Sequence, residues 1–298
     1  MYTIIVPFYK GKPFLDNFFH QVLSQTLSFE KLIFINDGDK SITQKEILKF
    51  SNKIHYIDNK INKGVNFSVL NSLKLVETPF VKIMSIDDIF DKNHAHNALS
   101  ILQRDSQIAM SFTNPGHFIL SNGKYQKYDF NLSKKNKIFF PEEFKIIFKN
   151  KTIKIFSNTV FFRTTILKKF LFCFDEIYSK YADQILNTLI ALNYKTVFLP
   201  KHDSFWTIHE SQNNKNFQAD IIKILDHLKL NKPFYYRQLL EYDFFYDLNL
   251  IDLIKIYLKE SNFINLNLLL KFVKFYSWKK LKAIVPTKIK KLIIYFLN

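Results

Sequence analysis

The sequence predicts an α/β fold built on a parallel sheet, and two observations indicate this class. Short apolar segments alternate with amphipathic helical patterns through residues 1–90, as expected of strands joined by crossover helices. The carboxylates Asp87 and Asp88 directly follow one of these segments, residues 80–84. Neighbouring anions at the end of a buried strand repel each other and lose hydration. The pair is therefore a candidate site for a divalent cation.

The first half of the chain supplies the elements of this sheet. Strands are predicted at residues 3–7, 31–35, 54–57 and 80–84, and a helix at 13–27. Gly64 precedes a second helix, whose predicted apolar stripe contains Val65, Val69, Leu70, Leu73 and Val76. Because ligands bind beyond the carboxyl ends of strands in open sheets, we expect a binding site at that edge. Tyr9, Asp37 and the Asp87–Asp88 pair all fall there.

The remainder of the chain is less regular. Strands are predicted at residues 108–112, 117–120, 159–163 and 195–200, and a helix at 184–192. Wide apolar stripes at 221–230, 248–258 and 266–276 predict helices. A polar segment, residues 211–216, is the predicted boundary between a first domain (1–215) and a helical C-terminal region (216–298). His94 and His96 are interpreted as surface positions.

Composition narrows the class of protein. With 298 residues, of which 47% are hydrophobic, the chain can form one large domain or two modest ones. The single cysteine, Cys173, cannot form a disulfide within the chain, which suits a reducing compartment. The first residues already resemble a strand, and no stretch of about 18 uncharged apolar residues occurs. We therefore expect neither a signal peptide nor a membrane-spanning helix.

The net charge of +17 is concentrated near the C-terminus, where residues 261–298 contain eight lysines and no acidic residue. Aromatic side chains lie among these lysines, including Phe272, Trp278 and Tyr295. Basic and aromatic residues at helical spacing are typical of a helix on an anionic membrane surface. A solvated helix that packs on the protein is the alternative. Nucleic acid is a disfavoured partner because no nucleic-acid-binding motif is present.

Nucleotide-binding loops rich in glycine are excluded, since the chain has only five glycines and neither a G-x-G-x-x-G nor a P-loop motif. Four other motifs occur in a recognisable order. They are Ile4–Tyr9 (IIVPFY), Phe34–Asp39 (FINDGD), Asn62–Gly64 with Asn71, and Met84–Asp88 (MSIDD). Together they resemble family 2 glycosyltransferases, the inverting GT-A group. The resemblance covers residues 3–90 strongly and 155–212 weakly.

This resemblance implies a GT-A fold, a Rossmann-like mixed sheet, with a helical C-terminal extension. It implies a metal-dependent, inverting transfer of a sugar from a nucleotide-sugar donor to a hydroxyl of a glycan or lipid-linked glycan. The donor is expected to be UDP-linked. Surface polysaccharide, lipooligosaccharide and glycoprotein glycan synthesis use such reactions. With the basic tail, it predicts a cytoplasmic enzyme held peripherally on the inner face of the cell membrane.

The resemblance also assigns residues to the donor site. Pro7 and Tyr9 would line the base pocket, Asp37 would accept the uracil imide proton, and Asn71 would follow on the next helix. Asp87 would face the ribose, and Asp88 would bind a Mn²⁺ or Mg²⁺ ion bridging the diphosphate. Both ions prefer oxygen ligands, and either would neutralise charge on the departing UDP. The first aspartate of the family's D-x-D is replaced by Ser85.

Two further residues are assigned by late motifs. Asp183 matches the aspartate that acts as general base, although Ala182 replaces the glutamate before it. His209, in the segment IHESQ, resembles a histidine that approaches the diphosphate or the metal. Imidazole can perform either task.

Purely structural roles stand beside these assignments. Asp37 could be a turn residue, Asp87 and Asp88 a helix cap, and Asp183 a helix N-cap, while His209 could pack against Trp206. At the level of function, a sugar-phosphate nucleotidylyltransferase is disfavoured because its Gly-rich basic loop is missing. A non-catalytic basic protein on a degenerate transferase scaffold, binding membrane or nucleic acid, is the remaining alternative.

Overall fold

The computed structural model describes residues 1–150, 153–209 and 221–241. Residue contacts group the described chain into two units. The first contains residues 1–147 and 153–209, and the second contains 148–150 and 221–241. The predicted boundary at 211–216, the predicted helices at 248–258 and 266–276, and the basic tail lie outside the described residues.

The first unit contains twelve strands in its described part. They are β1 (Tyr2–Phe8), β2 (Lys31–Asn36), β3 (Ile54–Asp58), β4 (Phe80–Ile83), β5 (Ile89–Phe90), β6 (Ile108–Thr113), β7 (Gly116–Ile119), β8 (Lys124–Lys127), β9 (Lys137–Phe139), β10 (Phe161–Arg163), β11 (Lys195–Leu199) and β12 (Ser204–Ile208). Eight of them form the main sheet, in the order β3-β2-β1-β4-β10-β6-β11-β9.

The main sheet is mixed. Strands β3, β2, β1 and β4 run parallel, and β6 is parallel to β11. Strand β10 is antiparallel to both β4 and β6, and β9 is antiparallel to β11. The predicted strands of the first half are confirmed within one or two residues. The central strand β1 is buried at almost every position, as expected of a parallel strand covered on both faces.

Helices cover both faces of this sheet. The helices are α1 (Leu15–Leu23), α2 (Gln44–Leu48), α3 (Val65–Lys74), α4 (His94–Leu102), α5 (Pro141–Asn150, of which residues 148–150 belong to the second unit), α6 (Thr164–Leu167) and α7 (Ala182–Asn193), with short 3₁₀ segments at Lys12–Phe14, Ser157–Thr159, Lys168–Phe174 and Glu176–Tyr181. Apolar residues of α1, α2 and α4 form one core with Ile4, Val6 and Phe8 of β1. Helix α3 contacts β1 without joining that core, so it covers the opposite face.

The apolar stripe predicted for α3 is partly wrong. Val65 is 58% exposed, whereas Ser68 and Ser72 are buried beside Val69 and Leu73. The Ser72 hydroxyl donates to the Ser68 carbonyl oxygen at 2.7 Å, and the Ser68 hydroxyl accepts from Asn59 at 3.0 Å. These local hydrogen bonds satisfy the serines, so α3 can bury a polar face.

A smaller sheet has the order β5-β12-β7-β8. Strand β12 is antiparallel to β5 and parallel to β7. The interpretation of His94 as a surface residue is wrong, since it is 1% exposed. Its Nδ1 atom lies 2.8 Å from Asp203 Oδ1, in the segment before β12. The hydrogen bond to Asp203, a residue more than 100 positions away, offsets the cost of burying the imidazole. The sequence near His94 does not indicate this partner.

The second unit contains α8 (Ile221–Asn231) and α9 (Pro233–Glu241). Helix α8 agrees with the stripe predicted at 221–230. Leu228 and Leu239 are fully buried, so both helices have an apolar face. In the part of the chain that the structure describes, no helix is long and apolar enough to cross a bilayer.

Candidate active site

Asp87 and Asp88 lie in a tight turn at the carboxyl end of β4. The Asp88 N–H donates to the Ser85 carbonyl oxygen at 3.4 Å, and the Ser85 N–H donates to Asp88 Oδ2 at 3.3 Å. Asp88 is almost completely buried. Burial first, and the charge of Asp87 second, raise the pKa of Asp88 well above its usual value. The turn therefore holds two neighbouring carboxylates, whose mutual repulsion a bound cation would reduce.

His209 reaches the same turn from β12. Its Nε2 atom lies 3.0 Å from Asp87 Oδ2, and its ring contacts Phe14 in a tilted arrangement, with 5.0 Å between the ring centroids. The Thr207 hydroxyl donates to the Asp87 carbonyl oxygen. The pairing of β12 with β5 explains this arrangement, because β5 directly follows the carboxylate turn. The structure therefore brings together the predicted residues Asp87, Asp88 and His209.

The donor set of this turn fits a divalent cation shared with a substrate. Mg²⁺ is usually held by one or two carboxylates together with substrate phosphates and water. Asp88 is the predicted carboxylate ligand in this turn, and Asp87, which is predicted to face the ribose, lies beside it. Among the described residues, no group of three or more His, Cys, Asp or Glu side chains is arranged to hold a metal ion. The turn is therefore suited to a cation completed by a diphosphate and not to an all-protein cage.

Asp37 lies at the carboxyl end of β2, where it organises the loop before α3. Its Oδ1 atom accepts from Asn59 Nδ2 at 2.7 Å and from the Lys63 N–H at 3.0 Å. Its Oδ2 atom accepts from the Gly64 N–H at 2.8 Å. A carboxylate offers about four acceptor sites, so roughly one remains for a ligand. The structure gives Asp37 a loop-holding role beside the predicted uracil contact.

Gly38 allows the loop to approach this closely. Its φ of +81° favours glycine, and a Cβ atom there would lie 2.5 Å from the Asn62 backbone nitrogen. Asn36 and Asp39 flank the turn and were not among the predicted site residues. Asn36 Nδ2 donates to the Tyr56 hydroxyl at 3.0 Å, and Asp39 accepts the Lys10 N–H. Hydrogen bonds to neighbouring segments therefore fix the NDGD turn in one conformation. A cavity of about 330 Å³ lies beside Asn36, Gly38 and Asp39.

Pro7 and Tyr9 end β1 at the same edge of the sheet. Tyr9 is 39% exposed, and the Lys10 ammonium lies 5.2 Å from its ring centroid. The ring is therefore accessible for stacking against a base. A larger cavity, about 610 Å³, lies at the opposite edge of the sheet beside Met1, Thr3 and Thr78. It is remote from every predicted site residue.

Asn71 is not brought to Asp37. Its side chain donates to the Phe67 carbonyl oxygen at 3.1 Å and accepts from Lys74 Nζ at 3.0 Å. It lies seven residues beyond Gly64, about 10 Å along α3. Both of its described hydrogen bonds stay within the helix, and the donor contact of Asn71 stays a prediction.

Asp183 lies in the first turn of α7, and Tyr181 occupies the N-cap position. Its Oδ1 atom accepts from the Gln184 N–H at 2.7 Å. Burial of the carboxylate raises the pKa of Asp183, against the opposing effects of hydrogen bonds and of the Lys154 charge. A carboxylate with a raised pKa is suited to accepting a proton near neutral pH.

Two buried polar groups behind the site were not predicted. Lys82, inside β4, donates to the carbonyl oxygens of Asn158 at 2.7 Å and Val160 at 3.2 Å. The His94–Asp203 pair lies nearby, since the Lys82 charge acts on Asp203 as well as on Asp88. A lysine within the otherwise apolar strand FVKI was the one signal of this cluster in the sequence.

Comparison with known proteins decides the family. The family model described as Glycosyl transferase family 2 matches residues 3–169, more than half of the chain. The chain belongs to glycosyl transferase family 2. The matched part of this family 2 chain includes Asp37, Asp87 and Asp88, whereas Asp183 and His209 lie beyond it.

Curated relatives of the family 2 chain are glycosyltransferases by name. A processive diacylglycerol beta-glycosyltransferase of Mycoplasma genitalium is 34% identical over 97 residues, which cover 31% of this chain and 28% of that protein. The protein of the same name in Mycoplasma pneumoniae is 34% identical, covering 33% of this chain and 30% of that protein. An uncharacterized glycosyltransferase of Rickettsia prowazekii is 28% identical, with coverages of 34% and 32%. The matches thus span about a third or less of each relative's length.

Solved structures show that the family 2 chain has the GT-A fold predicted for it. Residues 1–349 of S. aureus TarS in complex with UDP-GlcNAc give a TM-score of 0.60 at 18% identity, covering 77% of this chain and 64% of that one. The complex of the same protein with UDP gives a TM-score of 0.56 at 15% identity, covering 84% and 76%. At these identities the likeness extends to the fold alone.

Proposed function

We propose that this chain is an inverting glycosyltransferase that uses a UDP-linked sugar donor and a divalent cation, Mn²⁺ or Mg²⁺. The observation that carries the proposal is the buried Asp88 beside Asp87 at the carboxyl end of β4, adjacent to β1 in the sheet. Of these two neighbouring carboxylates, the desolvated Asp88 would hold the cation, which would supply charge neutralisation to the donor diphosphate. Family membership and the GT-A fold give this chemistry its context.

Each residue then has a task in the transfer. Pro7 and Tyr9 contact the base, and Asp37 accepts a hydrogen bond from the imide N–H of the base. Asp87 contacts the ribose. Asp88, with His209 close by, holds the cation, which when bound would neutralise negative charge on the departing diphosphate. Asp183 takes the proton of the acceptor hydroxyl as that oxygen attacks the sugar carbon from the side opposite the leaving group.

The nature of the donor and acceptor is also part of the proposal. UDP-GlcNAc and UDP are the ligands of the similar TarS structures, which supports a UDP-linked donor. The mycoplasma relatives are named for diacylglycerol, which supports an acceptor attached to lipid. A lipid-linked glycan acceptor would be met at the cytoplasmic face of the membrane, where the basic segment 261–298 could dock on anionic lipid. That segment lies outside the described residues.

A thermal-protection screen tests the proposal. The full chain is heated with individual nucleotide sugars and with UDP, in Mn²⁺ or in EDTA. A ligand that binds only the folded state raises the melting temperature. We expect protection by UDP and by at least one UDP-sugar in Mn²⁺ and weaker protection in EDTA. Slow release of UDP from the protecting sugar would then identify an enzyme. Binding without any hydrolysis or transfer would favour a degenerate scaffold, and no protection by any nucleotide would contradict the proposal.

A further inference from the structure

Lys82 occupies an unusual place for a charged side chain. It lies within β4, between β1 and β10, and is 1% exposed. Its Nζ atom contacts two carbonyl oxygens and lies 4.8 Å from the ring centroid of Phe161. Within the described residues, no carboxylate lies close enough to Nζ to form an ion pair. Burial lowers the pKa of Lys82 to about 7, against the opposing influence of Asp88 and Asp203.

An apolar residue would fill this position without the cost of burying an ammonium group. The structure shows what the lysine adds. Both described hydrogen bonds of Nζ go to one segment, residues 158–160, which runs from the short 3₁₀ turn into β10. An apolar side chain would leave the Val160 carbonyl without this donor. Lys82 therefore attaches the turn to the centre of the sheet.

The same turn receives a second attachment from β12 and a third from α7. The Ser204 hydroxyl at the start of β12 donates to the Asn158 carbonyl oxygen at 2.6 Å. Asn187 of α7 donates to the Ser157 hydroxyl at 3.2 Å and to the Ile155 carbonyl oxygen at 2.8 Å. The turn is thus fixed between β4, β12 and α7.

These attachments connect the two halves of the proposed active site. On one side, Asn187 of α7 donates to Ser157 and Ile155, and the first turn of the same helix carries Asp183. On the other side, β4 continues from Lys82 directly into the turn that carries Asp87 and Asp88. A displacement of the turn from β4 would therefore change the position of Asp183 relative to the carboxylate pair.

We propose that Lys82 is a positioning residue, which fixes the 157–160 turn on β4 and so sets the distance between Asp183 and the Asp87–Asp88 pair. The catalytic part of this inference rests on the proposed glycosyltransferase function. Misplacement of a catalytic group by about 1 Å can lower a rate by about 100-fold. Loss of Lys82 should therefore act on turnover and leave donor binding in place, because both described hydrogen bonds of Lys82 go to the 157–160 turn and not to the residues proposed to bind the donor.

Lys82→Met tests the attachment of the turn to β4, and Ser204→Ala tests its attachment to β12. Ser204→Ala loosens the turn without removing a charge. If Lys82→Met does not fold, Ser204→Ala alone shows whether attachment of the turn sets the position of Asp183. Lys53→Met is the matched control, since Lys53 also donates to a carbonyl oxygen, that of Phe29 at 3.1 Å, and lies 5.7 Å from a phenylalanine ring. Lys53 is exposed and lies at the opposite edge of the sheet.

The first readout is amide hydrogen exchange, which needs no substrate. The N–H groups of Thr159 and Val160 donate within the turn, at 3.0 and 3.1 Å. Both test variants should exchange faster than the parent over residues 157–163, and Lys53→Met should match the parent there. Unchanged exchange in the test variants would overturn the proposal whether or not the chain is a transferase.

The second readout is the hydrolysis of the UDP-sugar that protects the parent, in Mn²⁺. In the test variants we expect kcat to fall about 10- to 100-fold, with the UDP dissociation constant changed less than about twofold. Rates are normalised to UDP-binding sites, so that unfolded protein does not imitate the effect. Equal loss of UDP affinity and of turnover, or normal turnover despite faster exchange, would overturn the positioning role. A parent that neither binds nor hydrolyses UDP-sugars would overturn the proposed function, and the exchange data would then decide the anchoring role alone.

Discussion

The Nε2 atom of His209 lies 3.0 Å from Oδ2 of Asp87, across a separation of 122 residues in the sequence. This contact joins the end of β12 to the carboxylate turn after β4. It places an imidazole beside the aspartate predicted to face the ribose, at the mouth of the proposed cation site. The pair therefore connects the part of the chain that the family model matches with the part beyond residue 169.

If His209 contacts the donor diphosphate or the cation, His209→Ala should weaken UDP binding in Mn²⁺ about 10- to 100-fold, because a hydrogen bond to a charged group contributes roughly 1.5–3 kcal/mol. Isothermal titration with UDP measures the change. His202→Ala is the control, since His202 also faces a carboxylate, Asp129 at 3.5 Å, away from the site. Equal affinities of parent and His209→Ala would restrict His209 to packing against Phe14.

Asp88→Asn should stabilise the metal-free protein. The folded-state pKa of Asp88 lies well above the ordinary value of 3.8, so ionisation of this group disfavours folding. The cost is absent below the ordinary pKa and grows as pH rises above it. The melting temperature of Asp88→Asn in EDTA should therefore exceed that of the parent at pH 7, and the difference should shrink towards pH 4. Glu77→Gln, at an exposed position, should show no such difference. A variant that melts at a lower temperature than the parent at pH 7 would contradict the free-energy cost assigned to the ionised Asp88 carboxylate.

Asp183→Asn preserves shape but removes the capacity to accept a proton. Turnover should fall about 10²- to 10⁴-fold, and UDP binding should persist. Glu142→Gln is the matched control, because Glu142 is an acidic residue in the first turn of α5, as Asp183 is in α7. Steady-state kinetics with the protecting UDP-sugar would show the contrast. Similar small losses in both variants would return Asp183 to a helix-terminal role.

The His94–Asp203 pair should contribute stability that acid removes. Burial alone would raise the pKa of Asp203, but His94, Asn97 and the Lys82 charge together lower it to about 2. Because the folded-state pKa lies below the unfolded-state value, the contribution is complete above about pH 4 and is lost as pH falls towards 2. Asp203→Asn should therefore lower the free energy of unfolding measured in urea, and the loss should shrink as pH falls from 4 towards 2. A cost that is unchanged at pH 3 would contradict this linkage.

The sequence predicted the parallel half of the fold well, and local patterns explain why. Strands β1 to β4 are short apolar segments bounded by turn residues, so each could be located without tertiary information. The carboxylate turn and the NDGD turn followed from them, because the carboxyl ends of parallel strands share one edge. The family resemblance then supplied roles for these residues.

What sequence reasoning missed depends on contacts between distant segments. The burial of His94 requires Asp203, and the attachment of Lys82 requires the turn at 157–160. The antiparallel insertion of β10 between β4 and β6 is likewise a pairing of segments about 50 to 80 residues apart. Local spacing carries no information about such partners.

Titration of the parent and of Asp88→Asn with UDP, each in Mn²⁺ and in EDTA, tests the central claim most directly. The claim is that Asp88 holds the cation that bridges the donor diphosphate. The parent should bind one UDP per chain in Mn²⁺ and bind it much more weakly in EDTA. Asp88→Asn should bind UDP with the same weak affinity in both solutions. If the variant binds UDP in Mn²⁺ as tightly as the parent does, the cation is not held by Asp88 and the account of this site is wrong.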